Sequence, residues 1–124
     1  MRSLPIKLLI AFLLLPTLAS AESVTILVQT SPLAGSQYHD LKQVRSKVQP
    51  GDRLTLVREE NNQHDRNAVR VEWNGHPLGY VPRAENRAIA HALDNGQRLE
   101  GRISRLRETT NPWQRVEFDV YLVL

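Results

Sequence analysis

Residues 51–83 read GDRLTLVREENNQHDRNAVRVEWNGHPLGYVPR. Leu54, Leu56 and Val57 mark Arg53–Glu59 as a strand. Residues 60–67 then hold no apolar side chain. They are rich in Asn and Asp, whose short polar groups bond their own backbone, and this predicts a loop. Val69, Val71 and Trp73 alternate with Arg70 and Glu72, the period of a half-buried strand. Asn74-Gly75 stands between that strand and Leu78-Gly79-Tyr80-Val81. An Asn-Gly pair between strand-like runs predicts a two-residue hairpin turn. Pro82 ends the last run. Two long strands and a tight hairpin within 33 residues set the fold class as mainly β.

The flanks extend this pattern. Upstream, Val24, Ile26 and Val28 alternate as a strand. Asp40–Val48 places Leu41, Val44 and Val48 on one face of a short helix, with Asp40 as its N-cap. Downstream, Ala88, Ile89, Ala92 and Leu93 make Ala84–Asn95 an amphipathic helix, and Gly96 stands at its C′ position. Leu99, Gly101 and Ile103 share one face of a strand over Arg98–Leu106, while Leu106 is out of phase, which predicts a bulge or bend. Val116, Phe118, Val120 and Leu122 form the closing strand. Most strands lack an intervening helix, so a parallel sheet is excluded. The expected architecture is a small antiparallel six-stranded β-barrel, of the oligonucleotide-binding (OB) or SH3-like kind, with one or two short α-helices.

The first 21 residues, MRSLPIKLLIAFLLLPTLASA, have a different character. Arg2 and Lys7 precede an apolar run from Leu8 to Leu15, Pro16 breaks it, and Ala19-Ser20-Ala21 is a small-x-small cleavage pattern. This order predicts a secretory signal peptide over 1–21 and a domain over 22–124, exported to the periplasm or the medium. The apolar run is too short for a membrane anchor, which needs about 20 residues. The chain carries 16 Lys+Arg against 13 Asp+Glu, a net charge of +3. Without Arg2 and Lys7, fourteen basic residues face the same thirteen acidic ones, and the expected mature charge is +1. Net charge alone therefore does not argue for a polyanionic partner. The chain contains no Cys, which excludes disulfides, cysteine zinc sites and a thiol nucleophile.

Within this frame, three motifs occur in a specific order. They are Gly51-Asp52-x-Leu54-x-Leu56-x-Arg58-Glu59, Asn62-x-x-Asp65-x-Asn67-Ala68-Val69-x-Val71, and Gly79-Tyr80-Val81-Pro82 leading into a helix. Over roughly residues 24–106 this order resembles the HIRAN domain family. Members of that family occur fused to Swi/Snf-type ATPases in DNA repair and as standalone bacterial proteins. The resemblance implies a nucleic-acid-binding module on an OB- or SH3-like barrel, with single-stranded DNA 3′ ends as its target. It further implies that Asn62 and Asp65 receive the terminal 3′-hydroxyl. Tyr38 would stack near the end base, His64 stands where the family often has an aromatic, and Arg83 would meet a phosphate beside Tyr80.

Chemistry gives these residue types a rationale. A free 3′ end needs an acceptor for its O–H, and a carboxylate such as Asp65 supplies one while repelling a 3′-phosphate. A guanidinium such as Arg83 makes a forked phosphate contact. Tyr38, Tyr80 and His64 offer π surfaces, with stacking worth about 1–3 kcal/mol per base. Each residue also has a structural alternative. Asp65 and Asn67 brace loops of this kind, Tyr80 and Trp73 suit a sheet face, and the arginines at 83, 98, 102, 105 and 107 suit a solvated surface.

The four histidines, His39, His64, His76 and His91, lack metal-ligand spacing, so neither metal nor cofactor is expected. No P-loop is present and no nucleophile–base pair is evident, which points away from an enzyme. The competing expectation is an exported binding module of the same fold that recognises a protein or a cell-envelope ligand.

Overall fold

A computed structural model of the chain describes residues 24–124. The expected signal peptide lies outside the described residues. Six strands are present: β1 (Thr25–Pro32), β2 (Arg53–Arg58), β3 (Val69–Trp73), β4 (His76–Tyr80), β5 (Leu99–Leu106) and β6 (Val116–Val123). They form one antiparallel sheet in the order β1-β6-β5-β2-β3-β4. The sheet itself is not closed, but its two edges are linked just beyond β1. There Ala34 exchanges two backbone hydrogen bonds of 2.9 Å with Tyr80 of β4. The result is a curled, barrel-like sheet of the OB kind whose interior holds Phe118, Leu54, Val69, Val71, Leu78 and Ile103.

The link requires Gly79. A Cβ there would sit 2.3 Å from the Ala34 carbonyl oxygen and 3.0 Å from the Leu33 side chain. The Asn74-Gly75 hairpin forms as the sequence predicts. Trp73 pairs with His76 across it, and both turn residues have positive φ, 45° and 81°, as a type I′ turn demands. The out-of-phase Leu106 likewise follows a register shift between Ile103 and Arg105.

Three local expectations need correction. In β1 the alternation of Val24, Ile26 and Val28 does not define a buried face. Val24, Ile26, Leu27 and Val28 are all exposed, and a bulge between Leu27 and Gln29 shifts the phase, so that beyond it the odd residues Ser31 and Leu33 are buried. The first helix, α1 (Leu41–Val44), is a single turn, and the Asp40 side chain makes no capping bond. The Asp40 carboxylate instead lies 3.3 Å from His76 Nδ1 on β4. Leu41, Val44 and Val48 are nonetheless all buried. The second helix does not run unbroken from Ala84. A 3-10 turn over Arg83–Glu85 precedes α2 (Arg87–Asp94), with buried Asn86 at the junction. Its end is as expected: Gly96 has φ 77°, and Gly96 and Gln97 donate to the carbonyls of Leu93 and Ala92, a Schellman motif.

Candidate nucleic-acid interface

The polar loop of residues 60–67 is held by its own side chains. Asn62 Oδ1 accepts the backbone N–H groups of His64 and Asp65 at 2.9 and 3.0 Å. Asp65 Oδ1 accepts the N–H of Asn67 at 2.9 Å. Such bonds are the local alternative to a ladder that Asn and Asp provide. They also fix the orientation of the Asn62 amide, because only its oxygen can accept two N–H groups.

Two further contacts tie the loop to the sheet and to the α2 junction. Glu59, at the end of β2, accepts Asn62 Nδ2 at 3.0 Å and the Tyr80 hydroxyl at 2.9 Å on Oε1. Its other oxygen pairs with Arg70 of β3, which also lies 3.5 Å from Glu72. On the far side, Asp65 Oδ2 accepts Asn86 Nδ2 at 2.7 Å. Asn86 is 1% exposed, so this bond satisfies a donor that has no access to water.

The electrostatics follow from these contacts. Partial burial pushes the Glu59 carboxyl up, but the hydrogen bonds from Asn62, Tyr80 and Arg70 outweigh it, and the group is held below its ordinary value. Burial and the adjacent Glu59 carboxylate push the Tyr80 phenol up, which keeps it a protonated donor. Burial alone would lower the Arg70 guanidinium, but Glu59 and Glu72 raise it.

Tyr80 is thus tethered by its hydroxyl, and its ring lies 5.5 Å from that of His39 in a tilted pair. His39 follows Tyr38, which ends a 3-10 turn over Ser36–Tyr38 and is 79% exposed. The fold therefore brings Asn62 and Tyr80 onto one carboxylate, with His39, the residue after Tyr38, beside Tyr80. Asp65 is joined to the Arg83–Asn86 segment that carries Arg83. His64 and Arg83 are exposed, and among the described residues neither side chain makes a hydrogen bond or an ion pair.

Arg70 and Asn86 were not singled out in the sequence, Glu59 stood there only as the last residue of the first motif and His39 only among the histidines weighed for metal, yet all four hold the candidates in place. The signal for Glu59 and Arg70 lay in the alternation: with Val69 and Val71 inward, Arg70 and Glu72 must face outward beside the end of β2. Asn86 carried no local signal, since its partner is 21 residues away in sequence. Of the arginine row, Arg102 pairs with Glu100 at 3.0 Å on the outer face.

The family model described as "HIRAN domain" matches residues 26–124. A crystal structure of a protein from Lactobacillus plantarum is similar, with 29% identity, a TM-score of 0.72, and coverage of 82% of this chain and 97% of that one. The crystal structure of the HIRAN domain of human HLTF has 22% identity and a TM-score of 0.62, covering 82% of this chain and 78% of that one. No curated protein gives a significant match.

Proposed function

This chain belongs to the HIRAN domain family, and we propose that it is a nucleic-acid-binding module that receives the 3′ end of a single strand. The observation that carries this reading is the unused hydrogen-bonding capacity of the braced loop. A 3′-hydroxyl is both a donor and an acceptor. An ionised carboxylate offers about four lone-pair sites, and Asp65 uses two of them, for Asn67 and Asn86. Asn62 donates one amide hydrogen to Glu59 and has a second to give. Asp65 would then accept the hydroxyl proton while Asn62 donates to its oxygen. Both groups are held by the fold, so little ordering is needed on binding.

The remaining residues supply the other parts of such a contact. Tyr38 gives an exposed ring for the terminal base, with the His39–Tyr80 pair and His64 as further surfaces. Arg83, whose side chain makes no hydrogen bond or ion pair among the described residues, gives the first phosphate a cation. Glu59 adds a second negative charge close to Asn62, which raises the penalty for an end that carries a phosphate. The export expected from residues 1–21 would place this binding outside the cytoplasm. The role is that of a binding module and not of an enzyme.

Fluorescence anisotropy with a labelled single strand tests the reading. Tyr38→Ala and Arg83→Gln change exposed side chains and should leave the fold intact. Each should weaken binding, by roughly tenfold for the lost stack and by a comparable factor for the lost charge-assisted contact. Unchanged affinity in both variants would contradict it.

A further inference from the structure

A second concave surface shares no lining residue with the Asn62–Asp65 loop. It has a volume of about 550 Å³ and is bounded by the Ser36–Tyr38 turn and α1 on one side, and by the β5–β6 hairpin on the other. Its walls carry Lys42, Arg45, Arg107 and Arg115 against a single carboxylate, Glu108. Among the described residues none of these four cations makes an ion pair.

Two of the four are positioned by the fold. Arg107 donates its backbone N–H to the Arg115 carbonyl at 2.9 Å, which sets the two arginines side by side at the base of the hairpin. The Arg115 side chain donates to the carbonyls of Thr109 and Thr110 at 3.2 and 3.5 Å, which fixes its fork in the hairpin loop. The same wall contains Ser36, 2% exposed, whose hydroxyl is buried with no hydrogen-bond partner. An unpaired buried hydroxyl is costly to maintain. The cations of this cleft thus outnumber its one carboxylate by four to one.

We infer that the cleft is an oxyanion site for a phosphate group, separate from the Asn62–Asp65 loop. A phosphate is the ligand of matching chemistry: it brings several acceptor oxygens and negative charge, and arginine forks bind it bidentately. The site does not depend on end recognition, because none of its cations belongs to that loop or to Arg83. The phosphate is either a free ion or a backbone group of a bound strand.

Titration of the 15N-labelled full chain with inorganic phosphate tests the site by NMR. Saturable shifts should appear at Ser36, Arg45, Arg107 and Thr109. The Arg45→Gln/Arg107→Gln double variant should weaken binding by roughly tenfold or more, the size of a lost charge-assisted contact, whereas Arg83→Gln should leave it unchanged. Thermal melting checks that each variant is folded, and the Arg107→Gln single variant serves if the double variant is not. Shifts that do not saturate, or that are equal in the double variant, would overturn the proposal. A labelled single strand identifies the source of the phosphate. If the double variant also binds the strand more weakly, with a shallower salt dependence, the phosphate belongs to the strand. If strand affinity is unchanged while phosphate binding is lost, the ligand is a free phosphate. A full chain that binds phosphate but no strand would overturn the end-binding reading alone.

Discussion

Asp65 has a structural role beside the binding role proposed for it. Its two oxygens hold Asn67 and the buried Asn86, so its removal strands a donor in the interior. Asp65→Ala should therefore lower stability by about 2 kcal/mol, read as a drop of several degrees in Tm. It should weaken end binding as well. A variant that loses binding with an unchanged Tm would show that Asn86 does not rely on this carboxylate.

Glu59 makes a prediction about pH. Its folded carboxyl is held below the ordinary value of 4.5, so the unfolded chain takes up the proton first. The stabilisation is present above that value and is lost as pH falls through the lower, folded one. Glu59→Gln removes the titrating group along with the pairing to Arg70. Thermal melts between pH 7 and pH 3 should show lower stability for the variant at neutral pH and a gentler decline below about pH 4.5. Parallel curves for the two proteins would refute the assignment.

At the scale of elements, the junction between Ala34 and β4 decides whether the sheet curls. Gly79 leaves no room for a methyl group beside the Ala34 carbonyl. Gly79→Ala should cost about 3 kcal/mol, measured by denaturant unfolding, and should disturb Tyr80 and hence the Glu59 contacts. A variant of native stability would mean that the two edges part easily. This junction was not legible in the sequence, because a single bridge between residues 46 apart leaves no periodic trace. The hairpin at Asn74-Gly75 and the helix stop at Gly96 were legible, since each depends on a local left-handed backbone that few residues adopt. The bulge in β1 was not legible for a related reason. One inserted residue reverses the alternation, and nothing in the run Val24–Val28 announces a bulge.

For the whole molecule, the candidate loop was more legible than its supports. Asn62 and Asp65 show themselves through turn chemistry and through the family motif. Glu59 stands in the family motif and Arg70 in the strand alternation, but their pairing and the place of Asn86 become visible only when the fold gathers residues 59, 70 and 80 at one corner and bonds residue 86 to the loop. Charge points the same way. An expected mature charge of +1 gives little long-range attraction for a polyanion, so affinity must come from a few placed groups. The dependence of strand binding on salt should be correspondingly shallow, with a slope of roughly 0.7 per phosphate contact in log–log form. A slope that requires many phosphates would point to a diffuse basic surface instead.

The central claim is that the Asn62–Asp65 loop reads a free 3′-hydroxyl. Anisotropy titrations with two single strands identical except at the terminus, one ending in 3′-OH and one in 3′-phosphate, test it most directly. The account predicts that the 3′-OH strand binds more tightly by roughly tenfold or more, the scale of a lost charge-assisted contact, and that Asp65→Ala abolishes the difference. Equal affinities for the two strands would contradict it.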